Sequence, residues 1–250
     1  RAAITSIVLL IYLKKPKFNW SLPQVGAAIS SSATAILFIT ATKTTTAANA
    51  ILLQSTAPIY VAILGSWLLK EKATKYDWLT VAVVMGGMGL FFVGGLSAKG
   101  LFGNVCAVVS GITYAFFVIF MRMQKDGSPL ESTLLANIIT AVIGLPFLCR
   151  SVPNTSGWFL LLILGVFQLG IPYVFYSAAI KKATALEAVL ISIVEPILNP
   201  LLVFLALGEA PGIYALLGGA IVLASITLKC VLTILPLRIV TEDNKEQPLD

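Results

Sequence analysis

Two stretches of the chain decide its fold. Residues 43–79 read KTTTAANAILLQSTAPIYVAILGSWLLKEKATKYDWL, and residues 181–217 read KKATALEAVLISIVEPILNPLLVFLALGEAPGIYALL. Aligned without gaps at an offset of 138, the two stretches are identical at 12 of 37 positions. Shared leucine and alanine could follow from composition alone. A proline, a glutamate and a tyrosine recur at the same offset, at Pro58/Pro196, Glu71/Glu209 and Tyr76/Tyr214. We therefore interpret the two stretches as copies of one duplicated module.

The composition of the chain indicates an integral membrane protein. It is 58% hydrophobic and only 11% charged, whereas soluble domains carry about 25% charged residues. The net charge of +6 does not indicate nucleic acid binding, because the basic residues lie in short clusters between apolar runs. The chain has no histidine, and its three cysteines lack metal-ligand spacing, so we predict neither a metal site nor a cofactor.

Charged residues separate apolar stretches that are long enough to span a bilayer, which takes about 20 residues of helix. Uncharged stretches of at least 18 residues cover 18–42, 44–69, 78–98, 100–121, 132–149, 151–180 and 210–228. A further span is predicted over 184–207, although Glu187 and Glu195 interrupt it. The short apolar run before Lys14 is interpreted as the remainder of another helix. The sequence thus predicts an all-α membrane fold with nine segments and a polar tail.

The distribution of lysine and arginine predicts the orientation. With the C-terminus in the cytoplasm and alternating segments, 13 of the 17 basic residues fall on the cytoplasmic side. The 138-residue period contains five predicted helices, so the second copy is inverted in the membrane. Accordingly, we expect a first repeat over 1–98, incomplete at its N-terminus, a second repeat over 99–237 and a cytoplasmic tail over 238–250. Inverted duplications of this kind are typical of secondary transporters.

The duplicated modules resemble the EamA-type members of the drug/metabolite transporter superfamily, which have ten helices. The residues that carry the resemblance are Ala47, Pro58 and Glu71 in the first copy and Ala185, Glu195, Pro196, Gly208 and Glu209 in the second. The resemblance implies two inverted five-helix repeats around a central cavity, with alternating access for small metabolites, usually in export. It also implies that the first helix is missing from this chain and that the protein lies in a bacterial plasma membrane.

Glu195 is the main candidate for a functional residue. It lies near the middle of the predicted span 184–207, where a charged group costs at least about 2.5–3.5 kcal/mol on insertion scales. Ser192, Glu195 and Asn199 recur at i, i+3 and i+7 and so share one helix face. We predict a carboxylate that binds a proton or the substrate. The alternative is a protonated or hydrogen-bonded acid that stabilises a helix interrupted at Pro196.

Further polar residues could line a pocket for a small organic solute such as an amino acid. They are Asn49, Thr56 and Tyr60 in the first copy, and Tyr173, Tyr176 and Ser177 within one turn of the span 151–180. The alternative is that these groups bond their own backbone or a neighbouring helix. Pro58 and Pro196 each remove a backbone hydrogen bond, and we predict a structural hinge or a static kink there.

These features favour a secondary active transporter that exports small organic metabolites and is coupled to protons. The alternatives are a polytopic membrane enzyme and a receptor or scaffold. An enzyme is disfavoured because the chain has no histidine and no aspartate within its predicted spans. Neither alternative explains an inverted duplication. The predicted partners are a small-molecule substrate and the lipid bilayer, with a second copy of the chain as a candidate partner in a homodimer and no nucleic acid.

Overall fold

The computed structural model describes residues 1–96, 100–148, 154–198 and 212–243. Its helices are α1 (Ala2–Leu13), α2 (Leu22–Thr44), α3 (Ala47–Gln54), α4 (Ala57–Leu68), α5 (Lys75–Phe92), α6 (Leu101–Met123), α7 (Pro129–Leu148), α8 (Thr155–Ile163), α9 (Ile171–Ala179), α10 (Ala185–Ser192) and α11 (Ile213–Asp243). A 3-10 turn, Val93–Gly95, extends α5, and a π-helical segment, Leu164–Gly170, joins α8 to α9. Residues 194–198 are also helical. No β-strand occurs in these described ranges.

Seven of these helical stretches are long and apolar enough to cross a membrane. They cover Leu22–Thr44, Ala47–Leu68, Lys75–Gly95, Leu101–Met123, Pro129–Pro146, Thr155–Ala179 and Ile213–Leu232. Each corresponds to one of the seven uncharged stretches, so the prediction of an all-α integral membrane fold is confirmed. The helices extend past those stretches to include terminal charged residues such as Lys75 and Arg122, whose long side chains can reach the headgroup region.

Two predicted segments differ in extent from the seven spans. Helix α1 has only 12 residues, shorter than a bilayer span. The span predicted over 184–207 is helical from Ala185 to Ser192 and again over 194–198, and the rest of it lies outside the described residues. Helix α11 runs to Asp243 and so includes the first residues of the predicted polar tail.

The two duplicated modules begin with the same helix cap. The hydroxyl of Thr46 accepts a hydrogen bond from the backbone N–H of Asn49 at 3.1 Å. At the equivalent position, the hydroxyl of Thr184 accepts from the N–H of Glu187 at 3.3 Å. The Glu187 carboxylate accepts in return from the Thr184 N–H at 2.8 Å, which completes a capping box. The shared threonine therefore starts α3 and α10 in the same way.

The chain divides into two compact units. Unit 1 comprises Arg1–Lys72 and Ser97–Val189, and unit 2 comprises Ala73–Leu96 and Leu190–Asp250. In unit 1, α2 packs against α6 and α7. In unit 2, α5 packs against α11. The units are defined by packing and the predicted repeats by sequence, so the repeats over 1–98 and 99–237 stay a prediction.

Small residues allow the two helices of unit 2 to approach closely. A Cβ atom added at Gly218 of α11 would lie 2.5 Å from the carbonyl oxygen of Gly87 and 2.5 Å from the backbone nitrogen of Phe91. A Cβ added at Gly87 would lie 2.7 Å from a side-chain carbon of Val222. Because lipid supplies little hydrophobic driving force between helices, such close backbone contact is a main source of their association.

We predict that Gly218→Ala destabilises unit 2, by about 1–3 kcal/mol, because the added methyl group meets backbone atoms that cannot move aside. Gly86→Ala and Gly89→Ala are matched controls in α5, since nothing lies within 4 Å of a Cβ at either position. Thermal unfolding in detergent should show a lowered midpoint for Gly218→Ala and an unchanged or raised midpoint for both controls. Equal effects of all three substitutions would contradict this account of the packing.

Candidate functional site

Both duplicated helices are interrupted shortly before their proline. Helix α3 ends at Gln54, Ser55 and Thr56 form a turn, and α4 restarts at Ala57, next to Pro58. In the second copy the turn lies at Ile193, which is equivalent to Ser55, and Pro196 follows. Proline has no N–H to continue the hydrogen-bond ladder and its ring crowds the preceding turn, which explains both breaks. Whether Pro58 and Pro196 act as hinges stays a prediction.

Two side-chain hydroxyls at the first break donate to backbone carbonyls of the preceding turn. Thr56 donates to the carbonyl of Leu53 at 2.6 Å, and Ser55 donates to the carbonyl of Ile51 at 2.7 Å. Gly111 of α6 faces this break, since a Cβ there would lie 3.0 Å from the Gln54 carbonyl oxygen. The predicted role of Thr56 in binding substrate is untested, and its hydroxyl contacts its own backbone in this structure.

Asn49 takes part in a hydrogen-bonded group between α3 and α6. Its amide nitrogen donates to the side-chain oxygen of Asn104 at 2.9 Å and to the hydroxyl of Thr45 at 3.3 Å. Thr45 donates to the same Asn104 oxygen at 2.7 Å. Asn49 is 5% exposed, and Thr45 and Asn104 are half-buried. Tyr60 lies half-buried on α4 and is not part of this group. Substrate binding by Asn49 and Tyr60 stays a prediction.

Glu195 lies just after the second break, and its side chain is exposed. It forms no hydrogen bond or ion pair with any residue that the structure describes. Ser192, one turn earlier, is half-buried and has a partner. Asn199, the third member of the predicted polar face, lies outside the described residues. Binding of a proton or substrate by Ser192, Glu195 and Asn199 stays a prediction.

Tyr173, Tyr176 and Ser177 occupy one face of α9, next to aromatic residues of α6. The ring of Tyr176 stacks on Phe117 with centroids 6.0 Å apart, and Phe117 stacks on Tyr114 at 6.1 Å. Tyr173 lies three positions before Tyr176 on α9 and so shares its face. We call these five residues the aromatic cluster. Sequence analysis missed Tyr114 and Phe117, although their i, i+3 spacing on α6 was a signal for a shared face.

Two hydroxyl groups of the aromatic cluster are buried without a hydrogen-bond partner. They are the phenol oxygen of Tyr176 and the side-chain oxygen of Ser177, neither of which has a partner among the described residues. Ser177 is 4% exposed. Most buried polar groups in proteins are hydrogen-bonded, so two unpaired hydroxyls on neighbouring residues are unusual.

An ion pair at one end of unit 1 joins three connecting segments. The Nε atom of Arg122 donates to the Glu71 carboxylate at 2.8 Å, and the Arg122 Nη1 atom donates to the carbonyls of Ile180 and Lys181, both at 3.0 Å. The second Glu71 oxygen accepts from the backbone N–H of Ala185 at 3.0 Å. Glu71 therefore links the end of α4 to α6 and to the start of α10. Its equivalent, Glu209, lies outside the described residues.

No three histidine, cysteine, aspartate or glutamate side chains lie together as potential metal ligands in the part of the chain that the structure describes.

Comparison with known proteins assigns the chain to a family. The family model described as "EamA-like transporter family" matches residues 1–93 and 101–229. The chain belongs to the EamA-like transporter family. The resemblance inferred from Pro58, Glu71, Pro196 and Glu209 is thus confirmed.

Relatives and a solved structure agree with this assignment. An "Uncharacterized transporter" of Archaeoglobus fulgidus is 29% identical over 205 residues, which span 82% of this chain and 74% of the relative. "Uncharacterized transporter YxxF" of Bacillus subtilis is 23% identical over 182 residues, which span 70% of this chain and 58% of the relative. A crystal structure at 18% identity covers 92% of this chain and 85% of its own, with a TM-score of 0.76, and supports the fold.

These findings identify a membrane transporter. The family and the names of the relatives point to transport rather than to an enzyme. A small-molecule substrate and the lipid bilayer follow as partners.

We predict that Glu71→Ala and Arg122→Ala are each destabilising and that a double-mutant cycle gives a coupling energy of about 1–3 kcal/mol. The two side chains are 25% and 13% exposed, so loss of either leaves a largely buried charge without its partner. The free energies of unfolding of the wild type, the two single variants and the double variant, measured in mixed detergent micelles, would give the coupling energy. Lys72→Ala, an exposed charge in the same segment, is the control and should change little. A coupling energy near zero would contradict the structural role of the pair.

Proposed function

We propose that this chain is a proton-coupled secondary active transporter that exports small organic metabolites, such as amino acids and related solutes, by alternating access. The observation that carries the proposal is Glu195, an exposed and unpaired carboxylate in the middle of a predicted span. The sequence has no phosphate-binding loop motif that would bind ATP as a direct source of energy. The proposed source of energy is a proton gradient.

Glu195 has the properties that a proton carrier requires. Ionisable residues within membrane helices usually mark substrate or proton pathways, because a charge in hydrocarbon is unfavourable. A carboxylate held in a fixed ion pair would resist protonation, whereas Glu195 has no such partner among the described side chains. Its position beside a proline break also matches a recurring feature of transporters, in which interrupted helices supply the ion and substrate site.

The proposed substrate is a small organic solute, because the candidate residues supply hydroxyl and aromatic groups rather than a metal site. Export is proposed from the family, whose members usually export metabolites. We further propose a plasma membrane location with the C-terminus in the cytoplasm, since 13 of 17 lysine and arginine residues then face the cytoplasm.

The inverted repeat predicts opposite locations for equivalent residues. Lys43 and Lys181 are repeat partners. We expect a cysteine introduced at Lys43 to react with a membrane-impermeant maleimide in intact cells, and one at Lys181 to react only after permeabilisation. The background is a chain in which the native cysteines Cys106, Cys149 and Cys230 are replaced by alanine. Labelling of both positions from the same side would contradict the inversion.

Glu195→Gln is predicted to abolish proton-driven flux while the protein stays folded. Glutamine has nearly the same shape but cannot bind and release a proton at neutral pH. Flux in proteoliposomes with an imposed pH gradient, across a panel of amino acids and related solutes, would measure the effect.

The matched control for this experiment is Glu187→Gln in the same span. Glu187 belongs to the capping box with Thr184, and glutamine can replace glutamate in that motif. We expect near-normal flux in this variant. Wild-type flux in Glu195→Gln, or equal losses in both variants, would refute a proton-carrying role for Glu195.

A further inference from the structure

We propose that the aromatic cluster of unit 1 binds an uncharged, planar part of the substrate that carries both a hydrogen-bond donor and an acceptor. A carboxamide attached to an aromatic ring is the simplest group of this kind. The inference rests on the proposed function, because it assigns part of the substrate site and a chemical class to the transported solute.

The geometry of the cluster favours a flat ligand. The rings of Tyr114, Phe117 and Tyr176 form a row with interplanar angles of 23° and 15° between neighbours. Because these three rings are nearly parallel, their faces point in the same direction. Aromatic pairs in offset or stacked arrangements contribute about 0.5–1.5 kcal/mol beyond their buried area. A planar group can therefore add to this row, whereas a branched aliphatic group would not match it.

The two unpaired hydroxyls specify the polar part of the ligand. Other buried hydroxyls in unit 1 find backbone acceptors: Ser110 donates to the Ala107 carbonyl at 2.7 Å, and Ser32 donates to the Ala28 carbonyl at 2.9 Å. Ser177 and Tyr176 do not, among the described residues. A buried polar group without a partner is unfavourable, because it has lost its hydrogen bonds to water. A ligand that hydrogen-bonds both hydroxyls would remove this penalty.

A local irregularity of the helix sets the position of these residues. The π-helical segment Leu164–Gly170 immediately precedes α9 and is held by α1, where Thr5 donates to the Gly165 carbonyl at 3.0 Å. A π-helical turn shifts the faces of the helix that follows, and such turns occur frequently at functional sites. The Tyr173, Tyr176 and Ser177 face of α9 thus depends on a segment that a regular helix would not contain.

The two helices that carry the cluster offer no free formal charge, which specifies an uncharged ligand group. Arg122, at the end of α6, is held by the Glu71 carboxylate and by the carbonyls of Ile180 and Lys181. No aspartate, glutamate, lysine or arginine occurs over residues 101–121 of α6 or over 151–180, which includes α9. A charged group buried among hydroxyls and rings would lack a counterion, which is strongly unfavourable at low dielectric. A hydroxyl can donate to a carbonyl oxygen and accept from an amide N–H. A carboxamide offers both groups without a charge.

The test is a binding experiment with the purified 250-residue chain in lipid nanodiscs. The probes are benzamide, benzoate and benzylammonium, which have similar size and differ in charge. Equilibrium dialysis with radiolabelled probes should show binding of benzamide and at least about tenfold weaker binding of both ions, because a buried charge lacks compensation. Equal or tighter binding of an ion, or no binding of benzamide to the wild-type chain, overturns the proposal.

Tyr176→Phe and Ser177→Ala remove the two hydroxyls and leave the rest of each side chain in place. We expect each substitution to weaken benzamide binding about five- to tenfold, as for the loss of one hydrogen bond. Because the hydroxyls are unpaired in the free protein, the melting temperature should stay the same or rise. Tyr12→Phe, an exposed tyrosine of α1, is the control and should leave both values unchanged. Unchanged binding in both cluster variants, or a lowered melting temperature in both, contradicts the assignment.

Glu195→Gln separates this proposal from the proposed function. Transport and benzamide binding are measured in this variant and in the two cluster variants. If benzamide binding requires the two hydroxyls but no solute is transported, the subsite stands and the proposed coupling is wrong. If Glu195→Gln abolishes transport while Tyr176→Phe and Ser177→Ala transport and bind normally, the coupling stands and the subsite is wrong.

Discussion

The structure depends on one constraint: within a bilayer, each backbone N–H and C=O group must find its hydrogen-bond partner inside the protein. Helices satisfy this constraint everywhere except at their ends and breaks. At the first break, Pro58 cannot donate to the preceding turn, and the hydroxyls of Ser55 and Thr56 bond the carbonyls of Ile51 and Leu53. The hydroxyl groups at this break are thereby hydrogen-bonded within the protein.

The same constraint governs how the helices associate. Because lipid is as apolar as leucine, contact between helices comes from close packing and from hydrogen bonds. In unit 2 the backbones approach closely at Gly87 and Gly218. In unit 1 a hydrogen bond joins Asn49 to Asn104. The charged pair of Glu71 and Arg122 is confined to the helix ends, where solvent and helix termini help to stabilise both charges.

The sequence predicted the helices well because span length is set by bilayer thickness and charges mark the ends. It did not predict the helix caps, although the recurrence of Thr46 at Thr184 is visible in the repeat. Nor did it predict which side chains are hydrogen-bonded to each other between different helices. Arg122 lies 51 positions from Glu71, and Asn104 lies 55 positions from Asn49, so nothing local pairs them. The π-helical turn before α9 also has no sequence signature, and the aromatic cluster depends on it.

The two copies of the module share a helix break but differ in the side chains that lie at it. Ser55, Thr56 and Ala57 in the first copy correspond to Ile193, Val194 and Glu195 in the second. The first break carries hydroxyls that bond its own carbonyls, while the second has two aliphatic side chains in those places and gains a carboxylate. The carboxylate of Glu195 takes the place of the methyl group of Ala57. The duplication supplied the interrupted helix twice, and the divergence at these three positions explains why proton coupling is proposed for only one copy.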